Sequence, residues 1–396
     1  MRLAVVETEA YGGLLHYAAQ LADALAERGH DVDLITARGN ELQGRLSAAR
    51  MRAVLARPPS VPREPPRGWR RTWRRAGIAL RLVRSWARIA RELRRCGYDA
   101  ALLVDDPGIS LVAAAQLLVT VIPGRSIVAA VCHEPRPRNR WEGDELFTSS
   151  RLLHALLGHL YRRLGLVFVH GERSRDELLR SWPRSRVAVV PHGDERILTP
   201  SVPPPAAEER ILFFGDWRRA KGLYVLLSAF ERLEQLLPAS RLTIAGTPLA
   251  DGDPDQVRRW AAARPDRVEV IDRYVAVDEL PDLFARARVV AAPYIAGSQS
   301  GVVHLAMTMQ RAVVASDAGE LATTVVDGVT GRVVPAGDAE RLAAALAGVL
   351  ADPALAARLG AEGRRRVLAH SGWERVAERV EAELRQLDRT ARSSAA

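Results

Sequence analysis

Arg218, Arg219 and Lys221 lie within four positions of one another, in a run reading Arg-Ile-Leu-Phe-Phe-Gly-Asp-Trp-Arg-Arg-Ala-Lys-Gly over residues 210–222. The apolar part reads as a strand that ends at Gly215, and Gly222 opens a helix carrying Val225, Leu226, Leu227 and Phe230. Cations fixed at the carboxyl edge of a strand can stabilise concentrated negative charge, such as that of a departing diphosphate, and exclusion of water strengthens the effect. Lys221 is the only lysine among 57 basic residues. An arginine-rich genome accounts for the bias; a site needing a compact point charge rather than a planar fork is one reason to keep a single lysine. The plainer reading of the segment is a solvated basic loop, and Asp216 adds a negative charge to it.

Three other segments carry chemistry of the same kind. Gly12-Gly13 follow the first strand and precede a helix, where glycines permit a tight turn and let backbone N–H groups approach an anion. They lack the Gly-x-Gly-x-x-Gly spacing of a dinucleotide site, so a nicotinamide cofactor is not indicated. Residues 291–302 read Ala-Ala-Pro-Tyr-Ile-Ala-Gly-Ser-Gln-Ser-Gly-Val, a small-residue loop before a helix that begins near Val302. Its amides, with the hydroxyls of Ser298 and Ser300, can face a phosphate at a helix N-terminus; a plain N-cap is the alternative. His133 closes a buried strand ending Ala-Ala-Val-Cys-His and opens a proline-broken loop, the kind of edge where function concentrates. A hydrogen-bonded core histidine is the alternative there. His170 also ends a strand, with its role open. No cluster has zinc-ligand spacing, and Asp251-Gly-Asp-Pro-Asp255 reads as a cap and loop, so no metal site is expected.

The elements that must hold these residues alternate between short β-branched runs and helical patterns, the signature of βαβ units with parallel sheets. Strands read at 2–7, 31–36, 99–104, 126–132, 166–170 and 187–191, and again at 210–214, 241–245, 268–271, 288–292, 312–315 and 332–334. With 396 residues and a proline-rich stretch between the two series, two domains follow. The first spans 1–195 with a basic helical insertion at 63–97, then come a linker at 196–209, a second domain at 210–372, and a closing segment at 373–396. In doubly wound sheets ligands bind at the carboxyl ends of strands, so a cleft between two such domains is the expected site.

A formal charge of +10 and a pI near 10.4 favour anionic partners. Residues 63–95 hold twelve arginines together with Trp69, Trp73 and Trp86; Leu82, Trp86, Ile89 and Leu93 share one helical face, and Arg84, Arg88, Arg91 and Arg95 another. A core-packed helix with a solvated basic side is one reading, and docking on an anionic membrane is the other. No recognition motif supports nucleic-acid binding. Cys96 and Cys132 make no disulfide framework, and neither a signal peptide nor a membrane-spanning run is read. The expected location is cytoplasmic, including the inner face of the membrane.

These motifs resemble the retaining glycosyltransferases of family four. The match is carried by Gly12 to Val32, by the basic Lys-Gly loop of 210–222, by Thr/Ser-Gln-Ser-Gly-Val at 298–302, by Asp-Gly-Val-Thr-Gly-Arg-Val-Val-Pro at 327–335, and by the Ser-Gly-Trp-Glu-Arg segment from 371. The resemblance implies the GT-B fold, two doubly wound Rossmann-like α/β domains facing across a cleft, with the last helix returning to the first domain. It implies sugar transfer from a nucleoside diphosphate sugar, as co-substrate, with retention and with neither a cofactor nor an essential metal. Family positions give His133, Arg218 and Lys221 as candidate catalytic residues: His133 beside the donor sugar, and Arg218 and Lys221 on the diphosphate. Gly12, Gly13, Ser298, Gln299, Ser300, Gly301 and Val302 become donor-binding candidates, with Tyr274 and Val275 at the base edge. His192, in Val-Val-Pro-His-Gly, matches a hinge segment and reads as structural. Most members carry two glutamates with seven residues between them, which contact sugar and ribose; the corresponding positions here hold Gly297 and Leu305, so Gln299 is the candidate for a hydroxyl contact. The implied acceptor is a glycan, a lipid-linked glycan or a small molecule, the implied process cell-surface polysaccharide or glycolipid synthesis. A natural-product glycosyltransferase and a non-catalytic nucleotide-sugar-binding protein are the rival readings.

Overall fold

Runs such as Leu3–Ala4–Val5–Val6 and Val289–Val290–Ala291–Ala292 are apolar at every position, as expected of parallel strands covered on both faces, and all eight residues are buried. In the computed structural model they sit at the centres of two parallel sheets. The structure describes residues 1–57, 69–104, 110–120, 127–135, 150–198, 209–297 and 299–395. The described residues up to 191 and from 373 onward make one compact unit; those from 192 to 372 make the other.

The first unit contains β1 (Arg2–Val6), β2 (Asp31–Ala37), β3 (Arg50–Leu55), β4 (Ala100–Leu103), β5 (Ile127–Val131), β6 (Leu166–Val169) and β7 (Val187–Val189). Their order is β3-β2-β1-β4-β5-β6-β7, with every pairing parallel. The strand order reverses between β1 and β4, and Gly12-Gly13 lead from β1 into helix Gly13–Glu27. The closing helix Trp373–Ala395 belongs to this unit, since Trp373, Val376, Ala377, Val380 and Leu384 form a buried helical stripe. Trp373 meets Tyr17 with ring centroids 5.0 Å apart, and Arg28 Nε donates to Glu381 at 2.7 Å.

Strand β3 is absent from the sequence reading because arginines interrupt its pattern. Arg50 pairs with Asp33 at 2.9 Å and Arg52 with Glu92 at 2.5 Å, so the sheet edge is held by ion pairs rather than an apolar alternation. The basic insertion folds as helix Trp69–Cys96, with Trp86, Ile89 and Leu93 in the core; residues 58–68 lie outside the described residues.

The second unit contains β8 (Arg210–Phe214), β9 (Arg241–Ala245), β10 (Val268–Ile271), β11 (Val289–Ala292), β12 (Ala312–Ser316) and β13 (Arg332–Val334). Their order is β10-β9-β8-β11-β12-β13, again all parallel. The reversal falls between β8 and β11, so the loops after these strands meet at the switch point, the ligand end of a doubly wound sheet.

The unit boundary departs from the sequence reading. Residues 192–195, assigned there to the first domain, pack within the second unit. His304 Nδ1 donates to the Gly193 carbonyl at 2.9 Å, and the Glu195 amide donates to Thr308 Oγ1 at 3.2 Å. A pattern of strands and prolines does not show these contacts, because they depend on buried polar partners more than a hundred residues apart. The prolines of the proposed linker, Pro200 and Pro203 to Pro205, lie outside the described residues.

Candidate functional site

The basic loop of the second unit is built around a position that admits only glycine. Gly222 takes a left-handed conformation at φ 70°, and a Cβ there would lie 1.8 Å from the Pro293 carbonyl oxygen. This close approach joins the loop after β8 to the loop after β11. The Ile295 amide donates to the Ala220 carbonyl at 2.9 Å and fixes the same junction. Lys221 closes a short 3-10 turn, Arg219–Lys221, and its ammonium donates to Tyr294 Oη at 2.7 Å. Tyr294 Oη lies 2.8 Å from Ser300 Oγ, which accepts from the Val303 amide and caps helix Gly301–Thr308.

The direction of this chain follows from its chemistry. An ammonium only donates, so the Tyr294 oxygen accepts from Lys221, while either hydroxyl can be the donor between Tyr294 and Ser300. Ser300 Oγ accepts from the Val303 amide and shares its other hydrogen bond with Tyr294. Two groups of positive character thus stand at the switch point, the lysine ammonium and the N-terminus of a helix whose dipole favours an anion, linked through the Tyr294 and Ser300 hydroxyls. Gly215 ends the strand opposite; a Cβ there would meet Val302 Cγ2 at 3.6 Å.

Arg218 lies in the same loop and pairs with Asp216 at 3.5 Å, with the arginine side chain 22% and the aspartate 46% exposed. Asp216 therefore offsets part of the Arg218 charge, whereas the Lys221 ammonium donates to a neutral phenol. Gln299 folds back so that its side-chain carbonyl accepts from the Ser300 amide at 3.2 Å. Gly297 has φ 152°, which disfavours any other residue, and Leu305 is buried, so neither family glutamate position presents a polar side chain. Ser298 lies outside the described residues.

The loop after β10 carries the two base-edge candidates. Tyr274 is 38% exposed and Val275 is buried. The Arg273 guanidinium, then the Ala276 amide, hold the Glu279 carboxyl down at about 2, and these bonds fix the loop's shape.

The remaining candidates belong to the first unit. Gly12 has φ 95°, and its amide already donates to Glu41 Oε1 at 2.7 Å, the same oxygen that His16 Nε2 reaches at 2.7 Å. A carboxylate thus occupies the amide that the sequence reading offered to a phosphate. Gly13 begins the helix, with open space around its Cα. His133 follows β5, and its Nδ1 lies 3.0 Å from His170 Nε2, just after β6. The structure thus brings Arg218, Lys221, Ser300, Gly301 and Val302 together at one switch point, and it adds Tyr294, which sequence reasoning missed. The signal was a tyrosine two residues past a buried strand, hidden because tyrosines so placed are more often packing residues. Among the described residues no group of three or more potential ligands could hold a metal ion.

Two family models cover most of this architecture. The model for Glycosyltransferase Family 4 matches residues 11–193, and that for Glycosyl transferases group 1 matches residues 208–352. A lipopolysaccharide core biosynthesis mannosyltransferase from Rhizobium leguminosarum bv. viciae is 32% identical over 256 residues, covering 60% of this chain and 69% of that protein. The chain belongs to glycosyltransferase family 4. A phosphatidyl-myo-inositol mannosyltransferase from Mycolicibacterium smegmatis is 33% identical over 180 residues; the match takes in 44% of this chain and spans 45% of that relative's length. Among solved structures, a sucrose-phosphate synthase from Thermosynechococcus elongatus superposes with a TM-score of 0.74 at 23% identity, covering 98% of this chain and 99% of that one. An Anabaena protein in complex with UDP and glucose gives 0.69 at 17% identity, covering 97% and 99%. The fold of this family 4 member is accordingly GT-B, with a doubly wound parallel sheet in each unit.

Proposed function

We propose that this glycosyltransferase moves a sugar from a nucleoside diphosphate sugar to a glycan or lipid-linked acceptor, with retention at the anomeric carbon, in cell-surface polysaccharide or glycolipid synthesis. The observation that carries the reading is the Lys221–Tyr294–Ser300 line at the switch point of the second sheet. It links an ammonium to a helix N-terminus at one switch point, where a diphosphate would be stabilised as it leaves. Arg218 adds charge there, and the protein's own cations do the work that a metal performs in other phosphate chemistry.

In the proposed reaction the bond between the anomeric carbon and the phosphate oxygen breaks, and the electron pair goes to the diphosphate held by Lys221. The acceptor hydroxyl oxygen bonds to the same face of the sugar, and its proton passes to a leaving-phosphate oxygen. The products are the glycoside and the nucleoside diphosphate. His133 positions a sugar hydroxyl, and Tyr274 with the Val275 backbone lies along the base. The Anabaena protein of the same fold was solved with UDP, which makes uridine the first base to test. Two of the relatives are mannosyltransferases, which makes mannose the first sugar.

A thermal-shift screen of nucleoside diphosphates and their sugars, followed by a transfer assay on the donors that bind, tests this. Donor binding without transfer or hydrolysis across glycan, lipid and small-molecule acceptors favours a non-catalytic nucleotide-sugar-binding protein, the reading that buried Leu305 supports. Transfer to small aglycones alone favours a natural-product enzyme.

A second reading concerns location. Helix Trp69–Cys96 exposes Trp73, Leu80 and Val83, together with Arg84, Arg88 and Arg91. Exposed apolar side chains interleaved with arginines suit the interface of an anionic membrane, so we place the enzyme at the cytoplasmic face of such a surface. No single described helix is long and apolar enough to cross a bilayer. Cosedimentation with vesicles of anionic and neutral lipid at low and moderate salt decides the point, and absence of binding at low salt ends it.

A further inference from the structure

Asp216 sets a carboxylate into a loop that is otherwise cationic. It follows Gly215 at the end of β8, and the loop continues through Arg218, Arg219 and Lys221. The Asp216 carbonyl accepts from the Arg218 amide at 2.9 Å, and the Arg218 carbonyl accepts from the Lys221 amide at 3.0 Å. One hydrogen-bonded turn therefore carries the carboxylate, the guanidinium and the ammonium. Gly222, pinned on Pro293, fixes the far end of that turn, and the Trp217 amide, which donates to the Thr247 carbonyl at 2.9 Å, fixes the near end. The backbone thus holds Asp216 beside the cations, with its carboxylate 3.5 Å from Arg218 Nε.

Nearly half of the Asp216 side chain is exposed, and an ion pair so open to water contributes little to stability. Its charge acts instead on whatever anion binds beside it, in proportion to the charge of that anion. The substrate and product of the proposed reaction differ in this respect. In a nucleoside diphosphate sugar each phosphate carries one ionised oxygen, about −2 in total. Release of the sugar frees a terminal phosphate, which ionises a second time at about pH 6, so the product carries about −3 at pH 8.

We infer that Asp216 is a specificity-determining residue that disfavours the free nucleoside diphosphate relative to its sugar conjugate, and so limits inhibition by product. The inference rests on the reading of this loop as the diphosphate site. A unit charge about 7 Å away, the span of a guanidinium with a contact on each side, changes affinity about three- to sevenfold at an effective dielectric of about 40–80. A residue that only shaped the turn would change both affinities by the same factor.

The test is calorimetric titration of the full chain at about pH 8 with three pairs: uridine diphosphate and its glucose conjugate, guanosine diphosphate and its mannose conjugate, and adenosine diphosphate and its glucose conjugate. The quantity read is the ratio of the two dissociation constants within a pair that binds. In Asp216→Asn, which keeps the shape and removes the charge, that ratio should move about three- to sevenfold toward the free diphosphate at about 0.05 M salt. The movement should shrink below about twofold at 0.5 M salt, where the screening length is only about 4 Å. Asp216→Glu keeps the charge and should hold the ratio within about twofold of wild type. An unchanged ratio in Asp216→Asn, an equal movement in Asp216→Glu, or a movement indifferent to salt overturns the inference. Lys221→Met separates this failure from that of the site: if it leaves diphosphate affinity unchanged, or if no pair binds the wild-type chain, the diphosphate reading falls and this inference with it.

Discussion

Replacing Lys221 with methionine removes the charge and keeps the apolar stem. The lysine ammonium has three donors. One is used on Tyr294 Oη at 2.7 Å, which leaves two for phosphate oxygens. A hydrogen bond involving a charged group contributes about 1.5–3 kcal/mol, so loss of one such contact should weaken nucleoside diphosphate binding about 10- to 160-fold. Tyr294→Phe keeps the cation but removes its tether, and loss of a single aligning bond should weaken binding only about 2- to 13-fold. Because Tyr294 acts through Lys221, the double variant should bind no more weakly than Lys221→Met alone, an interaction that a double-mutant cycle reads directly. The assay is calorimetric titration of the full chain with uridine, guanosine and adenosine diphosphates at about 0.15 M salt, where exposed charges are screened and the site's own contacts dominate. A dissociation constant for Lys221→Met within about threefold of wild type refutes the site. A larger loss in Tyr294→Phe than in Lys221→Met refutes the order of the chain.

Gly222→Ala forces a side chain into a left-handed backbone and into the Pro293 carbonyl, so it should lower the unfolding midpoint and diphosphate affinity together. Gly12→Ala meets no atom within 4 Å and should cost only the backbone term of about 1–3 kcal/mol; equal losses in the two variants would contradict the packing argument. Burial pushes the His192 imidazole down to about 4, only partly opposed by its bond with the Gly193 backbone. The unfolded chain, with an ordinary histidine near 6.5, binds more protons between those values, so stability should fall by about 3 kcal/mol as pH drops across that window. Denaturation midpoints against pH should flatten in His192→Asn, and an unchanged slope would rule the group out. Trp373→Ala should destabilise the first unit by about 3–5 kcal/mol, measured by thermal unfolding, and a loss below about 1 kcal/mol would show that the closing helix is not anchored there.

The parts of this structure legible from sequence are those set by local period. Strands such as Arg210–Phe214, Arg241–Ala245, Val268–Ile271 and Arg332–Val334 fall where apolar runs between turn residues place them. Glycine positions also speak locally: Gly222 announces a special backbone before any neighbour is known. What stays hidden depends on partners distant in sequence. Strand β3 has no apolar pattern because Asp33 and Glu92 neutralise its arginines. Tyr294 looks like a packing residue until Lys221, 73 positions away, is placed against its hydroxyl. The occupation of the Gly12 amide by Glu41 is equally invisible, since a Gly-Gly turn carries no sign of which anion it receives.

These contacts also explain why a chain with one lysine among 57 basic residues keeps it at position 221. The backbone there cannot shift outward, because Gly222 is pinned on Pro293, and the distance from the Lys221 Cα to Tyr294 Oη is therefore set by the fold. A lysine ammonium ends that reach as a compact point, 2.7 Å from the phenol oxygen, with its other donors free to turn. An arginine head is planar, longer, and directs its donors in a fixed fork, so it would extend past the Tyr294 hydroxyl and take up room that a phosphate is proposed to fill. Arg218, three positions earlier and paired with Asp216, follows the bias of the rest of the chain. The choice between the two basic side chains is thus set by local geometry at Lys221 and by composition at Arg218, while both charges bear on the same proposed anion site.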